Sequence, residues 1–297
     1  MNIMYNQDWH IHTEASYDAS LPFEELLKKA KENGITDLGI TDHVNYPFMM
    51  CYLQKSRNLY ENYQKEGFHF GVELTTVAKS QIDYAATQPF DMTTTLRAGL
   101  VPGYVKAFTG KKDALDLAMT EEEIQAYKVE YTVAAAHWLF EDKTERNAVI
   151  REWHDQQMFC ATDKRVDIVG HSWWLPYNPN IKMWYNAEGM VCGEPWFDDF
   201  WVIPMSIHDE FSAALLENKK CAELNLSFLT NKKFTEKFKM QYMEYIRMLF
   251  EKGVPITIGS DVHKEYESRQ EICEKFFEHV GFKAGDFATP KFRKYNN

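Results

Sequence analysis

The stretch Leu38-Gly39-Ile40-Thr41-Asp42-His43 reads as a short β-strand that runs straight into a carboxylate and an imidazole. Just upstream, Pro22 to Asn33 carries Phe23, Leu26, Leu27 and Ala30 at spacings of three and four, which predicts an amphipathic helix. Pro22 suits its first turn and Gly34 its C-terminal cap. Further upstream, Trp9-His10-Ile11-His12 has strand character and carries two imidazoles at a spacing of two. The same grammar recurs downstream. Phe68 to Val72 leads to Glu73, Val129 to Ala136 to His137, and Val166 to Gly170 to His171. Cys221 to Phe228 is apolar and β-like, and Pro255 to Gly259 leads to Ser260-Asp261. Thr235 to Lys252 repeats the helical stripe with Phe238, Tyr242, Ile246 and Leu249, followed by Gly253.

Seven strands alternating with helices imply a parallel sheet, because each crossover between parallel strands needs a helix. Seven β/α units suggest a closed barrel, with an open doubly wound sheet as the alternative. Two stretches break the alternation, at about 78–110 and 176–204; the second holds four of the ten prolines. Loops of this length in a compact domain are usually lids or insertions. The reading is therefore one domain, 1–297, with two insertions.

The composition narrows the function. The 44 Asp+Glu outnumber the 33 Lys+Arg, for a net charge of −11. That argues against a nucleic-acid partner, whose phosphates demand basic surface. The five cysteines (Cys51, Cys160, Cys192, Cys221, Cys273) form no CxxC and are odd in number, so a reducing compartment is expected. The first residues lack a basic and then apolar signal-peptide pattern, and no apolar run approaches the roughly 20 residues of a membrane span. The expectation is a cytoplasmic protein with no membrane partner.

The informative fact is where the polar residues fall. His10, His12, His43, Glu73, His137, His171, Asp261 and His263 all sit at or just past the ends of apolar runs. In β/α barrels and open α/β sheets the ligand site lies at the carboxyl ends of the strands, so residues some 250 positions apart would converge. A strand puts His10 and His12 on one face, and likewise Asp261 and His263. An isolated HxH is as often two polar residues on a solvated face. Recurrence at strand end after strand end favours a metal site, because so many buried His and acids without a cation would be hard to satisfy. His and carboxylate without thiolate suits Zn, Mn or Fe, and so many donors suit two or three ions.

These residues resemble the PHP family (polymerase and histidinol phosphatase). The match rests on His10-Ile11-His12-Thr13-Glu14-Ala15-Ser16-Tyr17-Asp18-Ala19, Thr41-Asp42-His43, Glu73, His137, His171 and Asp261-Val262-His263, in family order. The resemblance implies a distorted seven-stranded TIM-like barrel with up to three divalent metal ions. It implies that His10, His12, Glu73 and Asp261 hold one ion. Glu73 would bridge to a second, held with His137 and His171, and Asp18, His43 and His263 would hold the third. Glu130 and Glu141 are the rivals of Glu73. Family activity is mostly phosphate-ester hydrolysis, and the chemistry agrees: clustered divalent ions bind phosphoryl oxygens and lower the pKa of a bridging water toward ~7.

The expected function is thus a metal-dependent phosphomonoesterase acting on a small metabolite: histidinol phosphate, a nucleotide or a sugar phosphate. A phosphodiesterase or nuclease of the same family would need a basic track, and only Lys232-Lys233 and the tail from Lys291 to Lys294 offer one. An amidohydrolase would need a carbamylated lysine where this chain carries Glu73 and His137. A degenerate, non-catalytic member would have lost ligands. The oligomeric state stays open.

Arg97 and Arg269 are candidates to clamp the phosphate, against a solvated-surface reading for each. Five of the eight tryptophans (Trp173, Trp174, Trp184, Trp196, Trp201) fall in one stretch starting two residues after His171. Trp173 and Trp174 are the nearest to the site and are candidates to contact substrate; packing accounts for the others. Asp8 either orients an imidazole or caps the strand. Asn225, in Glu223-Leu224-Asn225, either lines the pocket or makes a strand-end hydrogen bond. His69, His154, His208 and His279 read as ordinary structural or surface histidines. Glu121-Glu122-Glu123 after Thr120 reads as a helix N-terminus, where carboxylates favour the dipole.

Overall fold

A computed structural model describes residues 5–63, 66–80, 82–83, 114–137, 140, 146–173, 199–231, 234–266 and 269–295. The strands are β1 (Gln7–Ile11), β2 (Asp37–Ile40), β3 (His43–Val44), β4 (Phe68–Ala78), β5 (Leu115–Leu117), β6 (Tyr131–Ala135), β7 (Ile168–Val169), β8 (Cys221–Asn225) and β9 (Ile256–Gly259). The helices are α1 (Phe23–Glu32), α2 (Met50–Tyr63), α3 (Glu121–Ala126), α4 (Arg146–Thr162), α5 (Met205–Glu217), α6 (Ser227–Thr230), α7 (Glu236–Glu251) and α8 (Gln270–Val280). Seven strands pair in parallel in the order β1-β2-β4-β6-β7-β8-β9. The ring closes from β9 back to β1 just beyond the strand ends. Ile11 bridges Val262 in parallel, Asp261 N–H donates to the His10 carbonyl at 2.7 Å, and His12 N–H donates to the Val262 carbonyl at 3.0 Å.

The sequence pattern accounts for the elements. In α1 the buried residues are Phe23, Leu26 and Ala30, the predicted stripe. Pro22 sits one position earlier than expected, at the N-cap. In α7 the buried face includes Phe238, Tyr242, Ile246 and Leu249, and the Thr235 hydroxyl caps the helix by accepting from Phe238 N–H at 3.2 Å. Each such side chain contributes roughly 1.5–3 kcal/mol when fully buried. Gly34 (φ 77°) and Gly253 (φ 92°) follow these two helices in the left-handed conformation that other residues avoid. Thr120 and Glu123 form a reciprocal capping box at the start of α3.

Two expectations change. β4 does not stop at Glu73 but runs on to Ala78, pairing with β3 in parallel and β5 antiparallel. Leu74, Val77 and Ala78 are buried there, so apolar packing extends the strand past its charged residue. Conversely, the run expected from Cys221 to Phe228 leaves the sheet at Asn225, whose side-chain oxygen accepts from Ser227 N–H at 3.0 Å and starts the short α6. The first stretch read as an insertion thus begins at the end of a strand; most of both stretches, 84–113 and 174–198, falls outside the described residues.

The barrel's strand-start end is filled by Trp9, Tyr131, Val133, Ile168 and Cys221, with Phe292 packed beneath. Tyr131 fits because Gly39 and Gly71 face it: a Cβ at Gly71 would come within 2.6 Å of the phenol ring. Its hydroxyl donates to the Trp9 carbonyl at 3.0 Å. β1 gains one residue on β2 between Asp8 and Ile11. That bulge resets the alternation, so Trp9 joins the inner cluster while Ile11 joins the layer against the helices. No helix among the described residues is long and apolar enough to cross a membrane. The described cysteines Cys51, Cys160, Cys221 and Cys273 are free.

Candidate metal centre

The strands deliver nine side chains to one place. His10 is the penultimate residue of β1 with His12 just beyond the strand, and His43 opens β3. Glu73 lies within β4, His137 and His171 follow β6 and β7, and Asp261 and His263 follow β9. Asp18 arrives on the loop after β1. That loop is pinned: Asp42 accepts from Thr13 N–H at 2.6 Å and from its hydroxyl at 2.8 Å, and Ser20 N–H donates to the His263 carbonyl at 2.8 Å. Ser16 then donates to Asp18 at 2.8 Å. Asp261 adopts φ 53°, a left-handed conformation that Asp tolerates, with its N–H held by His10.

Glu73 is the hub and is fully buried. Its Oε1 lies 3.1 Å from His137 Nε2 and 3.0 Å from His171 Nε2. Its Oε2 lies 3.1 Å from His10 Nε2, 3.3 Å from His12 Nε2 and 2.9 Å from His43 Nδ1. Asp261 Oδ1 reaches His10 and His12 at 3.7 and 3.3 Å. Asp18 Oδ2 lies 3.4 Å from the Nε2 of both His43 and His263. The His12 ring stacks against those of His43 and His263, at 4.3 and 4.1 Å, and those two rings lie 5.8 Å apart.

Three groups bring ligand atoms within 4.8 Å of one another: His12, His43 and His263; His10, His12 and Glu73; and His43, Glu73 and His137. The donor chemistry fits divalent cations. His10 and His12 turn their Nε2 atoms toward each other at 3.1 Å. His10 Nδ1 is 2.7 Å from Glu223, so a neutral His10 that donates there presents a lone pair at Nε2. Lone pairs and carboxylate oxygens aimed at one centre repel unless positive charge lies among them. Among the described residues, His12 Nδ1 is buried without a hydrogen-bond partner.

Without a cation, protons take that place. Burial pushes the His10 imidazole pKa down, but Glu223, Glu73 and Asp261 outweigh it and hold it well above the ordinary value. His43 behaves alike through Glu73 and Asp18. Burial raises the Glu73 carboxyl pKa, but His43, His10 and His137 hold it well below the usual range. Asp261 is likewise lowered, chiefly by His10 against its burial. His137 differs: burial, only partly opposed by Glu73, lowers it to about 4. Its Nδ1 is 2.8 Å from the Thr75 hydroxyl, which donates in turn to Asn45. Asn45 donates from its amide to the Tyr17 hydroxyl at 3.2 Å.

Other sequence candidates sit elsewhere. One Arg269 guanidinium nitrogen donates to the Ser260 carbonyl and so braces the loop before Asp261. Trp173 is buried at φ 69°, edge-on to His208 at 6.0 Å. Arg97, Trp174 and Glu141 lie outside the described residues. Glu130 pairs with His69 (2.6 Å) and Tyr60 (2.7 Å) near the strand starts, away from the cluster. Asp8 touches no imidazole: it accepts from Ser260 N–H at 2.8 Å and from the Tyr266 hydroxyl at 2.7 Å, clasping β1 to the chain after β9. Asn225 does reach the cluster, donating to Asp261 at 3.2 Å. His154 and His279 pair with Glu210 and Glu244, both at 3.0 Å. Glu223 contacts the cluster but was not among the expected donors. The signals for it in the sequence are a carboxylate between Ala222 and Leu224 in an apolar strand and the similarity of Glu223-Leu224-Asn225 to a PHP-family pattern.

A parallel seven-stranded β/α barrel with a histidine–carboxylate cluster at the carboxyl ends of its strands defines a class of barrel suited to bind divalent metals. The PHP domain family matches residues 8–188, and the chain belongs to that family. Among solved structures, it is similar to a histidinol phosphate phosphatase from Lactococcus lactis complexed with zinc, L-histidinol and phosphate. The TM-score is 0.57 at 15% identity, covering 97% of this chain and 99% of that one. An archaeal ribonuclease P structure with mature tRNA aligns at TM-score 0.41 and 12% identity over 93% of this chain and 90% of that one. A Xaa-Pro dipeptidase with bound methionine aligns at 0.38 and 12% over 93% and 70%. Comparison with curated protein sequences returns no match.

Proposed function

We propose that this chain is a metal-dependent phosphomonoesterase acting on a small phosphate ester. The observation that carries the reading is the donor cluster. Six imidazoles converge with Glu73, Asp18 and Asp261, and the Nε2 atoms of His10 and His12 face each other at 3.1 Å beside Glu73 Oε2. Glu73 Oε2 would join His10, His12 and Asp261 on one ion. Its Oε1 would join His137 and His171 on a second, and Asp18, His43 and His263 would hold a third. When bound, divalent ions there supply stabilisation of phosphoryl charge and a nucleophile at neutral pH.

The residues around the ions have their own tasks. Glu73, buried and shared by two donor groups, fixes their separation. Asp18 is held by Ser16 and leaves an oxygen for His43 and His263. His137 is braced by Thr75, and its depressed pKa keeps it neutral, hence ligand-competent, down to about pH 4. The acidic net charge favours a small substrate over a polymer.

The test is elemental analysis of protein purified without added metal, together with phosphate release from a panel of monoesters. The Lactococcus structure contains L-histidinol and phosphate, so histidinol phosphate heads the panel. Two to three equivalents of Zn, Mn or Fe and release from one small ester support the reading. His10→Ala should cut metal content and activity together while the fold survives. Activity confined to phosphodiesters would move the assignment to a phosphodiesterase, and full activity in metal-depleted protein would refute it.

A further inference from the structure

We infer that Glu223 is a positioning residue for the metal centre, fixing the tautomer and ring orientation of His10 and the backbone of His171; this rests on the metal-dependent reading above. Glu223 projects from β8 and is buried, at 1% exposure. Its Oε1 lies 2.7 Å from His10 Nδ1. Its Oε2 accepts from His171 N–H at 2.5 Å and from the Asn225 amide at 3.3 Å. That amide also donates to Asp261 at 3.2 Å. One carboxylate thus ties together donors at or just past the ends of three strands, β1, β7 and β9.

The neighbouring backbone is shaped around it. A Cβ at Gly259 would fall on the Glu223 carboxylate and within 2.5 Å of His10 Cβ. A Cβ at Gly170 would come within 3.4 Å of its other oxygen. Both strands approach the carboxylate at positions without a side chain, leaving room for the His10–Glu223 contact.

The chemical consequence follows from the donor inventory. A carboxylate only accepts, so His10 must place its proton on Nδ1. Nε2, the atom that faces His12, Glu73 and Asp261, is then free to bind a cation. A carboxylate behind a ligating imidazole also raises its basicity and locks its plane, an arrangement whose loss typically costs 10–100-fold in metal affinity. Glu223→Gln keeps the shape and changes the hydrogen bonding. With its oxygen still on His171 N–H, the amide N–H₂ would face His10 Nδ1 and drive the ring proton to Nε2.

The experiment is zinc titration of metal-depleted wild type and Glu223→Gln against a chromophoric chelator, with the melting temperature of each apo protein measured in parallel. The expected result is one zinc bound 10–100-fold more weakly by Glu223→Gln and the remaining zinc affinities unchanged, with a lower apo melting temperature reporting separately the loss of the buried Glu223–His10 pair. Glu223→Asp, which keeps the carboxylate, should recover part of the affinity. Equal zinc affinity in wild type and Glu223→Gln would overturn the proposal and leave the functional reading standing. Wild type that binds no zinc, manganese or iron would instead sink the functional reading. Should Glu223→Gln fail to fold, long-range ¹H–¹⁵N spectra of zinc-loaded wild type decide the matter. A His10 proton on Nδ1 supports the proposal, and one on Nε2 overturns it.

Discussion

His208 offers a test of burial energetics away from the metal centre. It is fully buried in α5, with neither ring nitrogen hydrogen-bonded among the described residues. Its ring stacks on Phe200 at 5.7 Å and lies 4.8 Å from Tyr245. Burial lowers its pKa from the ordinary 6.5 to about 4; Asp209 opposes this and His154 adds to it. The unfolded chain therefore takes up a proton at His208 below about pH 6.5, whereas the folded protein does so only near pH 4. Between those values unfolding binds a proton, so stability rises with pH and falls as the solution is acidified. At RT ln 10 per pH unit, about 1.4 kcal/mol, the whole window is worth roughly 3 kcal/mol, and pH 7.5 to pH 5 roughly 2 kcal/mol. Set against a typical total of about 5–15 kcal/mol, that is measurable. His208→Phe keeps an aromatic ring against Phe200 and removes the titration. Urea unfolding of both proteins at pH 7.5 and pH 5, in chelator so that no metal contributes, isolates the term. The variant should lose about 2 kcal/mol less than wild type on acidification. Identical losses in the two proteins would show that His208 is not held neutral by burial, and the reasoning would fail.

Three further outcomes are expected. Gly71→Ala drives a methyl group into the Tyr131 ring, and overpacking of this kind should lower stability by about 1–3 kcal/mol, read as a fall in the urea midpoint. Thr75→Val deletes the hydroxyl between Asn45 and His137, all in or beside the cluster, and should cost about 1–3 kcal/mol in apo stability by calorimetry, with reduced metal content. Thr120→Ala removes the capping box of α3 and should cost about 1 kcal/mol without altering metal content; a larger loss would mean that α3 carries more of the barrel than its six residues suggest.

Much of this architecture is legible one residue at a time. Ile40 and Ile258 are wholly buried β-formers followed within a few residues by Asp42-His43 and Asp261-Val262-His263, so the placement of donors after strands follows from local pattern. Helices α1 and α7 declare themselves through apolar stripes and a following glycine. Glu73 is recognisable as a donor but not as a mid-strand residue, because Leu74 to Ala78 could as well have begun a loop. Their strand conformation depends on pairing with β3 and β5. Asp8 and Arg269 each carry two readings in the sequence, one at the site and one structural; in the fold Asp8 clasps Ser260 and Tyr266, and Arg269 donates to the Ser260 carbonyl.

Periodicity and side-chain chemistry are properties of short segments, so the alternation of strand and helix, the caps and the candidate donor side chains can be read along the chain. Which candidate donor faces which is set by the fold. The barrel closes through the contacts of His10 and His12 with Asp261 and Val262, across some 250 residues, and a one-residue bulge in β1 turns Trp9 inward and Ile11 outward. Glu73 becomes the hub, and Glu223 the carboxylate behind His10, only when strands distant in the chain are brought side by side. Distances of about 3 Å between residues more than 200 positions apart are set by packing of the whole barrel, and no local pattern encodes them.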